Sequence, residues 1–341
     1  MENKRIEIST LSIIKIVLVI LGVIFLYYVR DIIIMLFVVM IIVEALFPMV
    51  TWAEHYKIPR WLSALIFYFL IIGAFGLLIT LIIPPLVNQV SSFANNFPSY
   101  VDKLTPLYQQ YSGKVTNWQD IINTISHEIG NIGASFYKFS TWIFGGIATA
   151  LTTLILSYYL LLEREDFKQY LLNVTSKDVR KKEVIIGMIN KVGLKMGAWL
   201  RGQISISSII GVSTMIILSL LGNPYALTIG IIGALVEVIP IIGPVITGTL
   251  AVITTFIVGG WVYAAIALGA FILVQQLESQ FLVPKIMGKA VELSPFIIIV
   301  ALLIGGHLAG IPGAILAIPA AAGISVIIQE WPKFKEKEMK K

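Results

Sequence analysis

Glu237 and Glu278 are the only charged side chains between Gly202 and Pro284. A carboxylate in so apolar a stretch must be paired, hydrated or protonated, because an ionised group at mid-bilayer costs at least about 2.5–3.5 kcal/mol on insertion scales. A proton or cation carrier is therefore reasonable chemistry for either residue. Glu237 stands three residues before a break, in Glu237-Val-Ile-Pro240-Ile-Ile-Gly243-Pro244. Proline removes a helical hydrogen bond and frees carbonyls. Those carbonyls with a carboxylate can bind a cation, a proton or the hydroxyls of a polar solute, so Pro240, Gly243 and Pro244 belong to the candidate pathway. Glu278 sits in Gln275-Gln276-Leu277-Glu278-Ser279-Gln280, a polar band across an apolar helix. A plainer role for that band is to satisfy neighbouring helices near the headgroups.

Two further groups are weaker candidates. His307 follows Gly305-Gly306 beside a second break marked by Gly310 and Pro312, although a lone histidine is more often a packing residue. Glu44 lies about ten residues into an apolar span, where it pairs with Lys15 or lines the same cavity. His55 and His127 fall in loops and carry no expected chemistry. No spacing of ligands identifies a metal, and no cofactor motif is present.

The elements that hold these residues are membrane helices. The 341 residues are 57% hydrophobic and 13% charged, with mean hydropathy +0.90. Soluble domains carry about 25% charged residues, and runs of some 18 apolar residues are long enough to cross a bilayer of about 30 Å. The fold class expected is an all-α polytopic membrane protein. Net charge +6 then reads as basic loops that orient helices and touch anionic lipid, not as a nucleic-acid surface. There is no cysteine, which excludes disulfides and thiolate chemistry.

Residues 1–87 hold three spans, 8–29, 32–51 and 61–83, with Arg30-Asp31 as the turn between the first two. Residues 88–138 carry three Lys and three acids and read as an external amphipathic helical insert. A fourth span covers 139–162. Residues 163–201 carry nine Lys/Arg against five acids, so 163–202 reads as a cytoplasmic charged helical linker. Residues 203–329 form the transport core, and 330–341 a basic tail. Positive charge collects on cytoplasmic loops, which puts both termini inside and 88–138 outside.

The core reads as a span plus a Pro/Gly-broken hairpin, twice. Asn223-Pro224 opens one hairpin and Ser294-Pro295 the other, each a capping residue before a proline that needs no N–H. Each breaks at a second proline, Pro240 or Pro312, at similar distances, 240 − 224 = 16 and 312 − 295 = 17. Opposite directions of insertion make the two units an inverted-topology repeat. Broken helices at matching positions of such repeats point to a transporter's binding site.

The chain lacks GxxxxGK[ST], HExxH and GxSxG, so neither ATP use nor hydrolytic catalysis is expected, and it is not read as an enzyme. At Leu200-Arg201-Gly202-Gln203, at Glu237 through Pro244, at Val283-Pro284-Lys285-Ile286-Met287-Gly288-Lys289, and from Gly305-Gly306 through Gly310-Ile-Pro-Gly313 to Pro319, it resembles the AI-2E family of bacterial membrane proteins. The resemblance implies a multi-pass inner-membrane transporter of about eight membrane segments, including the two broken hairpins, assembled as a homo-oligomer with a pentamer as the expected number. It implies export of autoinducer-2 for some members and sodium- or lithium-for-proton antiport for others. One departure is His307, where relatives often carry an acid. The residues leave three readings open: an exporter of a small polar solute, a cation/proton antiporter, and a passive channel or scaffold in which the hairpins only pack.

Overall fold

The computed structural model describes residues 10–74, 76–77, 80, 146, 148–175, 179–288 and 293–339. The expected external insert, 88–138, lies outside them. Every regular element among the described residues is helical. In chain order these are α1 (Thr10–His55), α2 (Arg60–Ala74), α3 (Ala148–Leu162), α4 (Arg164–Thr175), α5 (Val179–Leu220), α6 (Ala226–Val236), α7 (Ile242–Leu277), a π-turn (Glu278–Leu282), α8 (Val283–Met287) and α9 (Pro295–Met339). The four long segments Ile14–His55, Lys182–Leu220, Ile242–Met287 and Pro295–Pro332 are long and apolar enough to cross a membrane. This is a multi-pass helical membrane protein.

The turn expected at Arg30-Asp31 is absent: α1 runs unbroken through it. Two charged residues without Pro or Gly do not stop a helix. Here they face outward and pair with each other (Arg30 Nε to Asp31 Oδ1, 3.6 Å), and Arg30 also lies over the Tyr27 ring. Continuity rules out the Glu44–Lys15 pair as well. Twenty-nine residues of one helix separate them by roughly 44 Å.

The charged linker and the first span of the core, expected over 203–221, likewise merge into the single helix α5, which has no proline to break it. Against α5 pack α1, α4, α6, α7, the π-turn, α8 and α9. Membrane helices gain little from burying apolar surface against each other rather than lipid, so close approach depends on small residues. α5 supplies them on two faces. Toward α1, a Cβ on Gly197 would overlap the Glu44 carbonyl oxygen. Toward α6, one on Gly211 would lie 2.6 Å from both the Gly230 oxygen and the Ala234 Cβ. A second core joins the C-terminal half of α1 to α2 and α3 through Val39, Val43, Val50, Ala64, Tyr68 and Leu161.

Both broken hairpins are present, the first as α6 and the opening arm of α7, with Gly233 against Thr247 across the 237–241 turn. α7 is two arms, 242–259 and 261–277, hinged at Gly260 (φ 80°). Gly248 on one arm faces the Phe271 ring on the other, so the arms are antiparallel. α9 folds back at Ala309-Gly310 (Gly310 φ 61°), and Gly305 and Gly313 meet backbone to backbone across the fold. The break therefore precedes Pro312, which sits in the first turn of the returning arm, where its missing N–H leaves no bond unmade. Ser294 caps α9 as its type requires, accepting from Ile297 N at 3.4 Å. Asn223 instead closes the turn before α6 by accepting from Tyr225 N (2.9 Å), while its amide donates to the Thr254 and Thr255 hydroxyls. The hairpins pack on α5, and α9 has at most an isolated contact with α6 or α7.

Candidate functional site: a carboxyl pair at the first hairpin break

α6 ends at Val236, and the chain turns through 237–241 before α7 begins at Ile242. Pro240 lies in this turn. Ile241 takes φ 71°, a left-handed conformation that strains a β-branched residue. The turn is tight because Gly243 lets the start of α7 press on the end of α6: a Cβ there would come within 2.6 Å of the Val236 oxygen and 2.7 Å of the Glu237 Cα. Pro244 occupies the first turn of α7, where no N–H is needed.

Glu237 caps α6 and is only 3% exposed. Its backbone carbonyl accepts from Gln203 Nε2 of α5 at 2.9 Å. Its carboxyl lies beside that of Glu278. Glu278 opens the π-turn that ends the second arm of α7. π-turns are rare and concentrate at functional sites; this one lets Val283 N bond back to the Glu278 oxygen. Gln275, one turn earlier, places its amide beside the Glu278 carboxyl.

What the arrangement lacks is donors. Glu237 Oε2, Glu278 Oε2 and Gln275 Nε2 are all buried without a hydrogen-bond partner; the Gln275 amide is near Glu278 but not aligned with it. Buried polar atoms are nearly always paired, and two facing carboxylates can only accept. Chemically, such a pair can hold a proton or a cation between its oxygens.

The structure thus brings Glu237, Pro240, Gly243, Pro244, Gln275 and Glu278 together. It places His307, Gly310 and Pro312 on α9, outside this cluster, with His307 exposed. Glu44 is elsewhere too, in an ion pair with Arg164 (2.9 Å). A shallow groove of about 620 Å³ lined by Trp52, Tyr56 and Leu194 shares no residue with the carboxyl pair. Sequence reasoning missed Gln203 as a partner of the break. Its signal was available: a long amide at the start of an apolar span, inside the Leu200–Gln203 motif.

The chain is 29% identical over 308 residues to the Bacillus subtilis protein named "Putative transport protein YrrI", covering 88% of this chain and 86% of that one. It is 23% identical to the AI-2 transport protein TqsA of Escherichia coli (89% and 87% covered). It is also 23% identical to a sodium-lithium/proton antiporter of Halobacillus andaensis (88% and 91% covered). The AI-2E family transporter profile matches residues 14–333, nearly the whole length, and the chain belongs to the AI-2E family of transporters.

Proposed function

We propose that this chain is a secondary transporter in which the Glu237–Glu278 pair exchanges protons for a small hard cation, Na⁺ or Li⁺. The observation that carries this reading is the pairing of the buried Glu237 carboxyl with that of half-buried Glu278, each with one buried oxygen that has no partner. Oxygen donors suit hard cations, and the antiporter name of the Halobacillus relative agrees. A second reading, export of a small polar solute such as autoinducer-2, is favoured by the name of the E. coli relative. The hydroxyls of such a solute would donate to the same oxygens.

Reconstitution in liposomes separates the readings. Na⁺ and Li⁺, and separately autoinducer-2, are offered with and without a proton gradient. Proton movement driven by either cation supports exchange. Gradient-driven autoinducer-2 flux with no cation response supports export. Fluxes indifferent to the proton gradient in all arms would leave a passive channel or scaffold.

The same proposal places the protein in the bacterial inner membrane as a homo-oligomer, with both termini cytoplasmic and the two hairpin units related as inverted repeats. Because the chain has no cysteine, labelling is clean. A cysteine introduced at Ser112 should react with an impermeant maleimide from outside the cell, and reaction only from the cytoplasmic side would reverse the orientation.

A further inference from the structure

α5 touches both sides of the carboxyl pair at two adjacent residues. Gln203, 5% exposed, donates to the Glu237 carbonyl at 2.9 Å, and so holds the end of α6. Gly202 faces the other partner's segment. A Cβ on it would lie 2.9 Å from Met287 Cγ and 3.7 Å from the Ile286 side chain. Those residues belong to α8, which follows the Glu278 π-turn without a break. Glu237 and Glu278 are forty-one residues apart in sequence (278 − 237 = 41) and sit on segments with no shared turn. Beside the antiparallel arms of α7 that join them, they share this one step of α5 as a support.

We propose that Gly202 and Gln203 are positioning residues, a yoke that sets the separation of the Glu237 and Glu278 carboxyls. The idea builds on the carboxyl-pair reading but concerns geometry, so it can be tested without transport. Gln203 fixes the hairpin end by a directional bond, and Gly202 fixes the α8 end by steric fit. Moving either support changes the distance between the two carboxyls, and with it how well they share one positive charge.

The test uses the full-length chain carrying Glu237→Cys and Glu278→Cys, the only two thiols present. A bis-methanethiosulfonate reagent matching the reach of two glutamate side chains is added, and intramolecular crosslinking is followed by mass spectrometry. Gln203→Met keeps the volume but removes the donor. It should slow crosslinking about tenfold, the factor that corresponds to a lost buried hydrogen-bond partner. Gly202→Ala should slow it too, and adding Met287→Ala should restore the rate by vacating the space the new methyl needs. In the chain with both glutamates intact, Gln203→Met should raise the half-saturating Na⁺ concentration more than it lowers turnover. If Gln203→Met fails to assemble, the Gly202/Met287 set decides alone. An unchanged crosslinking rate in an assembled single variant overturns the role of that residue, and failure of Met287→Ala to rescue overturns the steric half. If crosslinking responds as expected but no cation moves in liposomes, the yoke stands and cation exchange falls.

Discussion

Glu237→Gln should insert and assemble like the parent chain yet lose proton-coupled transport almost entirely. The substitution preserves shape and can still hydrogen-bond its surroundings, so packing at Gly243 and the Gln203 bond to the backbone carbonyl are retained. It removes the negative charge and the capacity to carry a proton, and it gives Glu278 an amide donor in place of a second carboxyl. Loss of a charge-assisted contact to a bound cation corresponds to about 1.5–3 kcal/mol, or roughly ten- to more than a hundredfold in affinity. Loss of the proton site removes coupling altogether. The measurement is cation-driven proton flux in liposomes at matched protein density. Normal pH-dependent flux from well-assembled Glu237→Gln would defeat the assignment and move the essential role to Glu278.

The second large effect is on assembly. Arg164→Met should destabilise the fold by about 3–5 kcal/mol, the usual cost of removing one partner from a buried ion pair. Arg164 grips Glu44 with two donors, Nε to Oε1 at 3.0 Å and Nη2 to Oε2 at 2.9 Å. Both side chains are only 11% exposed, and the guanidinium stacks 3.9 Å over the Phe47 ring. Arg201 of α5 donates to the Glu44 and Ala45 carbonyls at 3.0 Å each, so α1, α4 and α5 meet at this point. Thermal melts in detergent should show Arg164→Met well below the parent. Glu44→Leu/Arg164→Met should recover much of the loss, because no charge is left unpaired. A single variant that melts with the parent would show that the pair contributes nothing net.

Acid should weaken the same junction. Burial opposes ionisation of Glu165, but Lys168 and Arg164 outweigh it and hold the carboxyl below its usual range. Its contribution is therefore complete above the ordinary carboxylate value and lost as pH falls through the lowered one.

The carboxyl pair was legible in the sequence as scarcity: two charges in a long apolar stretch are conspicuous, and each adjoins a polar or Pro/Gly feature. That they face each other was not legible, because no local pattern relates residues on separate helices forty-one apart. The hairpins were legible from Pro and Gly, but the second break was misplaced by two residues because proline is equally at home in the first turn after a break. Arg30-Asp31 misled for a related reason. Charge marks where a chain prefers water, whereas Pro and Gly mark where a helix must end. Glu44's partner lay 120 residues away, beyond any helical periodicity.

The unbroken course of α5 also has a mechanical meaning. Forty-two residues at 1.5 Å each make a rod of about 63 Å. Its N-terminal half is tethered by Lys191 to Glu330 of α9 at 2.6 Å and its middle by Arg201 to α1; its other half carries the first hairpin. With no proline or non-helical residue to act as a joint, tilt imposed at the tethered end is delivered to Gly202 and Gln203 with little damping. Alternating exposure of the carboxyl pair would then be a lever motion of one stiff helix, with its force arm in the N-terminal half.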